Sequence, residues 1–374
     1  FLTQAEMVTH WGYSVESYDV VTDDGYILSM IRIPHGRSSI ENSTCLRPPI
    51  LLVHGLMVDA VEYVFNPPAS SPGMILADAG FDVFLVSVRG TTYSQRHVNL
   101  TTRDGQYWKF TMDEMANYDI PAAIDKALQL SGANSLYYVG HSQGTLVSFL
   151  MLADRPEYNK KVPLSRSYHL VQSTRVSNDV VSNVVIQVRA MFELGPVYTG
   201  YVGAHEFGFH LPWLWTRVAH FFCPLLNAEC HEPAMAIAGQ PASTFNWSRT
   251  PVYMANFFTS TSTWNMLHLG QNAIRNSVDH FDVSPKENMR RYGQVPASAY
   301  NYSNIDTDVY LFWGSNDWLV GSKEIENWLI PKMRAGIIKG VFEIPDYNHI
   351  DYTMATDLKE RIFDRIIEIV RKGE

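Results

Sequence analysis

Residues 136–153 read LYYVGHSQGTLVSFLMLA. The first four are a short apolar run of strand type, and Thr145–Ala153 is apolar over the length of a helix. Between them Gly140-His141-Ser142-Gln143-Gly144 fits the pattern G-x-S-x-G. The string alone is weak, because with 23 Gly in 374 residues it arises by chance in roughly one chain in ten. Its context is stronger. A strand, a tight turn and a helix in that order are what a nucleophile elbow requires. Such a turn forces Ser142 into a strained backbone conformation, and the missing side chains of Gly140 and Gly144 make room for it. The strain pushes the serine oxygen out toward substrate.

Working outward from the elbow, short apolar runs recur at 50–53, 82–88, 309–313 and 341–344, each predicting a buried parallel strand. Helical stretches lie between several of them. One spans 72–79, with Pro72 near its start and Gly80 at its end, and another runs from Asp119 to Gly132. The last helix is the clearest: after Thr356 as the expected N-cap, Leu358, Ile362, Phe363, Ile366, Ile367 and Val370 repeat at helical spacing over 357–371. Upstream, residues 18–33 form two β-rich runs around Asp24-Gly25, a hairpin signal at an antiparallel edge. Alternating strands and helices predict an α/β fold, a mostly parallel central sheet with helices on both faces. Between about 171 and 298 the alternation fades. The expected organisation is therefore a core of 1–170 and 299–374 with 171–298 inserted as a cap and lid. The densest aromatic part of that insertion, 207–222, suits an ordinary small core and a lipid-facing surface equally.

A serine hydroxyl needs a base to take its proton and an acid to orient that base. Asp317 sits just past the run 309–313, and His349 follows 341–344 in the loop Pro345-Asp-Tyr-Asn-His349. Ser142, Asp317 and His349 thus each follow a different predicted strand, in the chain order of an α/β-hydrolase triad. Asp306, Asp308 and Asp346 remain alternatives for the acid. The negative oxygen of a tetrahedral intermediate needs preformed N–H donors, for which the amides of Gln143 and Leu56 are the candidates, Leu56 lying in the loop after 50–53. His54, in the same loop, reads as a packing residue. There is no H-E-x-x-H, no finger spacing of Cys and His, no G-x-G-x-x-G and no Walker pattern, so neither a metal nor a cofactor is expected.

The length of 374 residues fits one large domain with an insertion or two ordinary domains. Charged residues make up only 18% and aromatics 13%, a neutral, aromatic surface that suits an apolar ligand. The net charge of −9 without a Lys/Arg cluster argues against a nucleic-acid partner. No apolar run reaches the roughly 18 residues that span a bilayer, so a soluble chain without a transmembrane segment is expected. The first residues, FLTQAEMVTHWG, lack the basic start and apolar stretch of a signal peptide. Sequons at Asn42, Asn99, Asn246 and Asn301 are glycan acceptors if the chain enters the secretory route. Cys223 and Cys230 are close enough in sequence to bridge a short loop, which leaves Cys45 as an inert thiol.

The chain resembles the acid lipase family of animals, which includes lysosomal acid lipase and gastric lipase. The resemblance rests on Trp11-Gly12-Tyr13, Thr22–Leu28, Arg32–Gly36, His54-Gly-Leu56, Ile75–Val83, Arg89-Gly90, Asp113–Asp119 and Tyr138–Gly144. It covers most of 6–155 and returns at 305–355. It implies an α/β-hydrolase with the triad Ser142, Asp317 and His349, oxyanion donors Leu56 and Gln143, and a cap and lid over an acyl-chain tunnel. A disulfide between Cys223 and Cys230 is implied as well. Two segments depart from the pattern. Thr91-Thr92-Tyr93 stands where relatives usually have Asn and often Trp, and Tyr168–Arg175 stands where the family has an apolar strand ending in Ala-Pro-Val beside the site. The second departure predicts an altered substrate preference.

The function expected from these readings is hydrolysis of neutral-lipid esters, triacylglycerol or cholesteryl ester, by a serine nucleophile at a lipid droplet or micelle surface. The alternatives are an esterase for smaller or retinyl esters and a lipid-binding carrier on the same scaffold. Lysosomal and extracellular addresses both remain open.

Overall fold

The computed structural model describes residues 2–38, 47–159, 187–194, 238–257, 259–320 and 324–373. Its strands are β1 (Glu16–Val21), β2 (Tyr26–Ile33), β3 (Pro49–Val53), β4 (Asp82–Ser87), β5 (Arg96–His97), β6 (Ser135–His141), β7 (Gln187–Leu194), β8 (Asp308–Gly314) and β9 (Ile338–Ile344). They form one sheet in the order β1-β2-β4-β3-β6-β7-β8-β9, with β5 on β2. From β4 to β9 every pairing is parallel, and β1, β2 and β5 add an antiparallel margin. The hairpin expected around Asp24-Gly25 joins β1 to β2.

Because side chains alternate along a strand, each central strand feeds two cores. Leu51, Val53, Phe84, Val86, Leu136 and Tyr138 face the helices Ile120–Ser131 and Gln143–Asp154. Ile50, Leu52, Val83, Leu85, Tyr137 and Val139 face the helix Pro72–Asp78 and the C-terminal helical run. Burial on both faces explains why these strands read as unbroken apolar runs. The helix Gln143–Asp154 is buried from its first residue to Ala153, which is why its sequence lacks a polar stripe. In the C-terminal run, Leu358, Ile362, Phe363, Ile366, Ile367 and Val370 are all buried, as their spacing predicts.

Three expectations need correction. The stretch 171–298 contains β7, so the sheet continues to Leu194, past the expected boundary; Arg189 and Glu193 interrupt its apolar run and conceal it in the sequence. Tyr168–Arg175 lies outside the described residues, and the strand that borders the elbow is β7. Second, β9 is a half-buried edge strand in which Lys339, Val341 and Glu343 face solvent, and not a buried one. Third, Thr356 does not cap the last helix. Its hydroxyl donates to the Thr244 carbonyl, and the first helical carbonyl to accept is that of Asp357, from the Arg361 amide.

The resemblance segments Thr22–Leu28, Arg89-Gly90 and Asp113–Asp119 meet at one place. The guanidinium of Arg89, fully buried, donates to Asp119 at 2.7 Å and to Asp24 at 2.6 and 2.9 Å, and lies 3.9 Å over the ring of Tyr26. Removing one partner of such a buried pair costs about 3–5 kcal/mol.

Candidate active site

Ser142 sits between the end of β6 and the helix Gln143–Asp154 with φ 51° and ψ −117°, a left-handed backbone that a residue with a Cβ rarely adopts. Its amide donates to the Leu194 carbonyl of β7 at 3.0 Å, and the Thr145 hydroxyl donates to its carbonyl at 2.6 Å. A Cβ on Gly144 would fall on the carbonyl oxygen of Val53, and one on Gly140 would lie 2.6 Å from Glu193 Oε2 and 2.8 Å from the Thr145 nitrogen. Close approach therefore fixes both glycines of the motif.

The structure brings together the three residues that sequence spacing singles out. His349 Nε2 is 2.7 Å from Ser142 Oγ, and His349 Nδ1 is 2.9 Å from Asp317 Oδ2. Asp317 Oδ1 accepts the amides of Leu319 and Val320, each at 2.9 Å. With those donors fixed, the carboxylate accepts Nδ1–H and leaves a lone pair on Nε2 toward the serine. All three side chains are buried. The alternatives for the acid lie elsewhere: Asp306 pairs with Arg334, Asp308 with Lys339, and Asp346 is exposed in a turn.

Gln143 follows Ser142 directly, and Gly55, the residue before Leu56, packs on the elbow, where a Cβ on it would lie 3.2 Å from Ser142 Cβ. Gln143 opens its helix, where an amide has no carbonyl one turn back to donate to. Its side-chain amide donates to Asn265 Oδ1 at 3.0 Å. Leu56 follows a peptide clamped from both sides: the Gly55 amide donates to Glu62 at 3.1 Å, and His54 Nδ1 donates to the Gly55 carbonyl at 2.8 Å. Since His54 Nε2 accepts the Val88 amide at 3.0 Å, this ring is neutral, in keeping with burial that pushes its pKa down.

Several neighbours carry no motif and were invisible in the sequence. Glu62 stands on the short 3₁₀ turn Ala60–Tyr63 and bonds His141 of the elbow. Glu193 is wholly buried against Ser148, and burial raises its pKa well above the carboxylate range. The carbonyl of Ala238 accepts the amides of both Trp318 and His349, tying the loops of Asp317 and His349 together. Asp351 takes the Asn348 and Ala242 amides at 2.7 and 2.9 Å, its pKa raised by burial to about 6. For such residues the signal is a charged side chain between apolar neighbours, which a search for motifs passes over.

Of the sequons, Asn99 and Asn301 are exposed and Asn246 is partly so. In the last two, Asn Oδ1 accepts the hydroxyl of the sequon serine at 2.6 Å. Asn42, Cys45, Cys223, Cys230 and the aromatic stretch 207–222 lie outside the described residues. Among the described residues no helix is long and apolar enough to cross a membrane.

The sequence matches the alpha/beta hydrolase fold family over residues 48–353 and a partial alpha/beta-hydrolase lipase region over residues 4–67. Similar proteins include lipase lipl-3 of Caenorhabditis elegans, 35% identical over 99% of this chain and 92% of its own. Human gastric triacylglycerol lipase is 32% identical over 99% and 91%. The lysosomal acid lipase/cholesteryl ester hydrolase of Macaca fascicularis is 33% identical over 98% and 90%. The chain belongs to the animal acid-lipase family of α/β-hydrolases and is a carboxylic ester hydrolase acting on lipid esters.

Proposed function

We propose that the protein hydrolyses carboxylic esters of neutral lipids, triacylglycerols and cholesteryl esters, through an acyl-enzyme on Ser142. The observation that carries this reading is the His349 ring, 2.7 Å from Ser142 Oγ and 2.9 Å from the Asp317 carboxylate. Asp317 keeps the proton on Nδ1, so Nε2 takes the Ser142 proton as Oγ attacks the acyl carbonyl. The amides of Leu56 and Gln143 stabilise the oxyanion. As the C–O bond breaks, Nε2 passes the proton to the departing alcohol. Water then repeats the sequence: His349 takes one of its protons, its oxygen attacks the acyl carbon, and Ser142 Oγ recovers the proton as the fatty acid leaves.

The choice of neutral lipid draws on the low share of charged residues and on the substrates in the names of the gastric and lysosomal relatives. In this reading the segment from beyond Leu194 to about 298 caps an acyl-chain site that works at a droplet or micelle surface. Cys223 and Cys230 pair within that cap. Asn42, Asn99, Asn246 and Asn301 accept glycans on the secretory route, toward a lysosomal or extracellular address.

The test is labelling by a fluorophosphonate, followed by a panel of neutral lipids between acid and neutral pH with Ser142→Ala as the blank. Label on Ser142 and turnover above the blank are expected. If Ser142 stays unlabelled both in solution and on lipid droplets, and no lipid is turned over beyond the blank, the reading is wrong.

A further inference from the structure

Beside the row of Ser142, His349 and Asp317 lies a second buried histidine that the mechanism above leaves idle. His141 Nδ1 is 3.2 and 3.1 Å from the two carboxylate oxygens of Glu62, and its Nε2 is 3.0 Å from the backbone carbonyl of His349. A carboxylate and a carbonyl only accept, so both bonds form only if both ring nitrogens carry hydrogen. The arrangement is that of an imidazolium. Glu62 also takes the Gly55 amide, one residue before Leu56. One ion pair therefore joins three loops: that of Leu56, the elbow itself, and that of His349.

The other titratable groups around His141 do not substitute for Glu62. His54, beyond Gly55, is held neutral by its own two bonds. The His349 ring lies 5.4 Å away, centroid to centroid, with Asp317 on its far side, and the Tyr352 ring lies at 5.9 Å. As an ion pair, Glu62 and His141 add no net charge beside His349, whose ring must itself become cationic during turnover. Burial opposes a charged His141, but the Glu62 carboxylate, its hydrogen bond and the His349 carbonyl outweigh it and hold the pKa above the ordinary histidine value. The sign follows: the pair is intact at and below the ordinary histidine range and is lost as pH rises through the raised value. A neutral ring donates only once, which leaves either Glu62 or the His349 carbonyl without its bond.

We propose that Glu62 and His141 are positioning residues that hold the His349 loop and the Leu56 amide in register only while His141 is doubly protonated, giving the hydrolase an alkaline limit of its own. This rests on the roles assigned to Ser142, His349 and Leu56 above.

The experiment is the pH profile of kcat for a soluble short-chain ester, with Ser142 labelling as the control. It is paired with nitrogen NMR of the His141 ring in the wild-type protein and in Glu62→Gln, which keeps an acceptor for Gly55 but removes the charge. The expected results are a doubly protonated His141 in the wild type near pH 6 and, in Glu62→Gln, an alkaline limb moved down by about one pH unit. Glu62→Asp, which retains the charge, should stay close to the wild-type limb. A wild-type His141 that carries a single ring proton throughout about pH 5–7 overturns the proposal, and that measurement needs no variant to fold. So does an unmoved limb in Glu62→Gln while Ser142 still labels and turns over ester. Loss of labelling in the wild type would instead remove the underlying reading.

Discussion

His141 and His349 are two buried imidazoles 5.4 Å apart, and their partners set them to opposite tasks. His349 faces one acceptor, Asp317, and one hydroxyl, Ser142, so one nitrogen keeps a lone pair that can receive a proton. His141 faces two acceptors, Glu62 and the His349 carbonyl, and has no lone pair to offer. The first is built to exchange protons and the second to keep them. In a dry site the neighbour at each ring nitrogen decides between base and brace, and neither burial nor residue type does so.

The strongest way to break this contrast is to replace each ring in turn. His349→Gln should lower kcat about 10⁶-fold, as when the base of a serine triad is lost, whereas His141→Gln should cost about tenfold at acid pH, the scale of one charge-assisted bond. Equal losses would show that the two histidines are not separate in function. Next in size is Asp317→Asn, which alters the tautomer of His349 and should lower kcat about 10⁴-fold with the chain still folded by circular dichroism.

The smallest effect sharpens the contrast at a buried carboxyl that has no counter-ion and is held in its neutral form. Glu193 bonds Ser148 through Oε1, and its Oε2 has no hydrogen-bond partner among the described residues. Its carboxyl, raised by burial, stabilises the fold fully below the ordinary carboxylate range, and that contribution is lost as pH rises. Glu193→Gln should therefore match the wild-type thermal midpoint near pH 4 and exceed it by about 2 °C near pH 7.5. Asp59, pushed by burial to about 7, acts with the same sign, so the wild-type midpoint should itself fall between about pH 5 and pH 7.5. A midpoint that rises over this range would mean that these acids are ionised in the folded chain.

The sequence was legible wherever a local pattern carries the physics. Leu136–Val139, the elbow and the C-terminal helix follow from apolar spacing and from glycines at a tight turn, and the order Ser142, Asp317, His349 follows from the loops after successive strands. β7 was hidden because Arg189 and Glu193 break its apolar run. β9 reads as buried from Val341, Phe342 and Ile344, but these three apolar residues do not show that one face of an edge strand meets water. Glu62 showed only as a charge between Val61 and Tyr63, and its partners were not legible: they are His141, 79 residues away, and a carbonyl a further 208 residues along the chain.

The Ala238 carbonyl, which receives the amides of both Trp318 and His349, has a practical consequence for exchanging parts between relatives. A chimera that exchanges the segment around Ala238 for that of another enzyme must keep a peptide oxygen at this spot. Otherwise the graft would misalign two of the three reacting loops at once, and a swap designed to change which lipid is accepted would be scored as a dead enzyme.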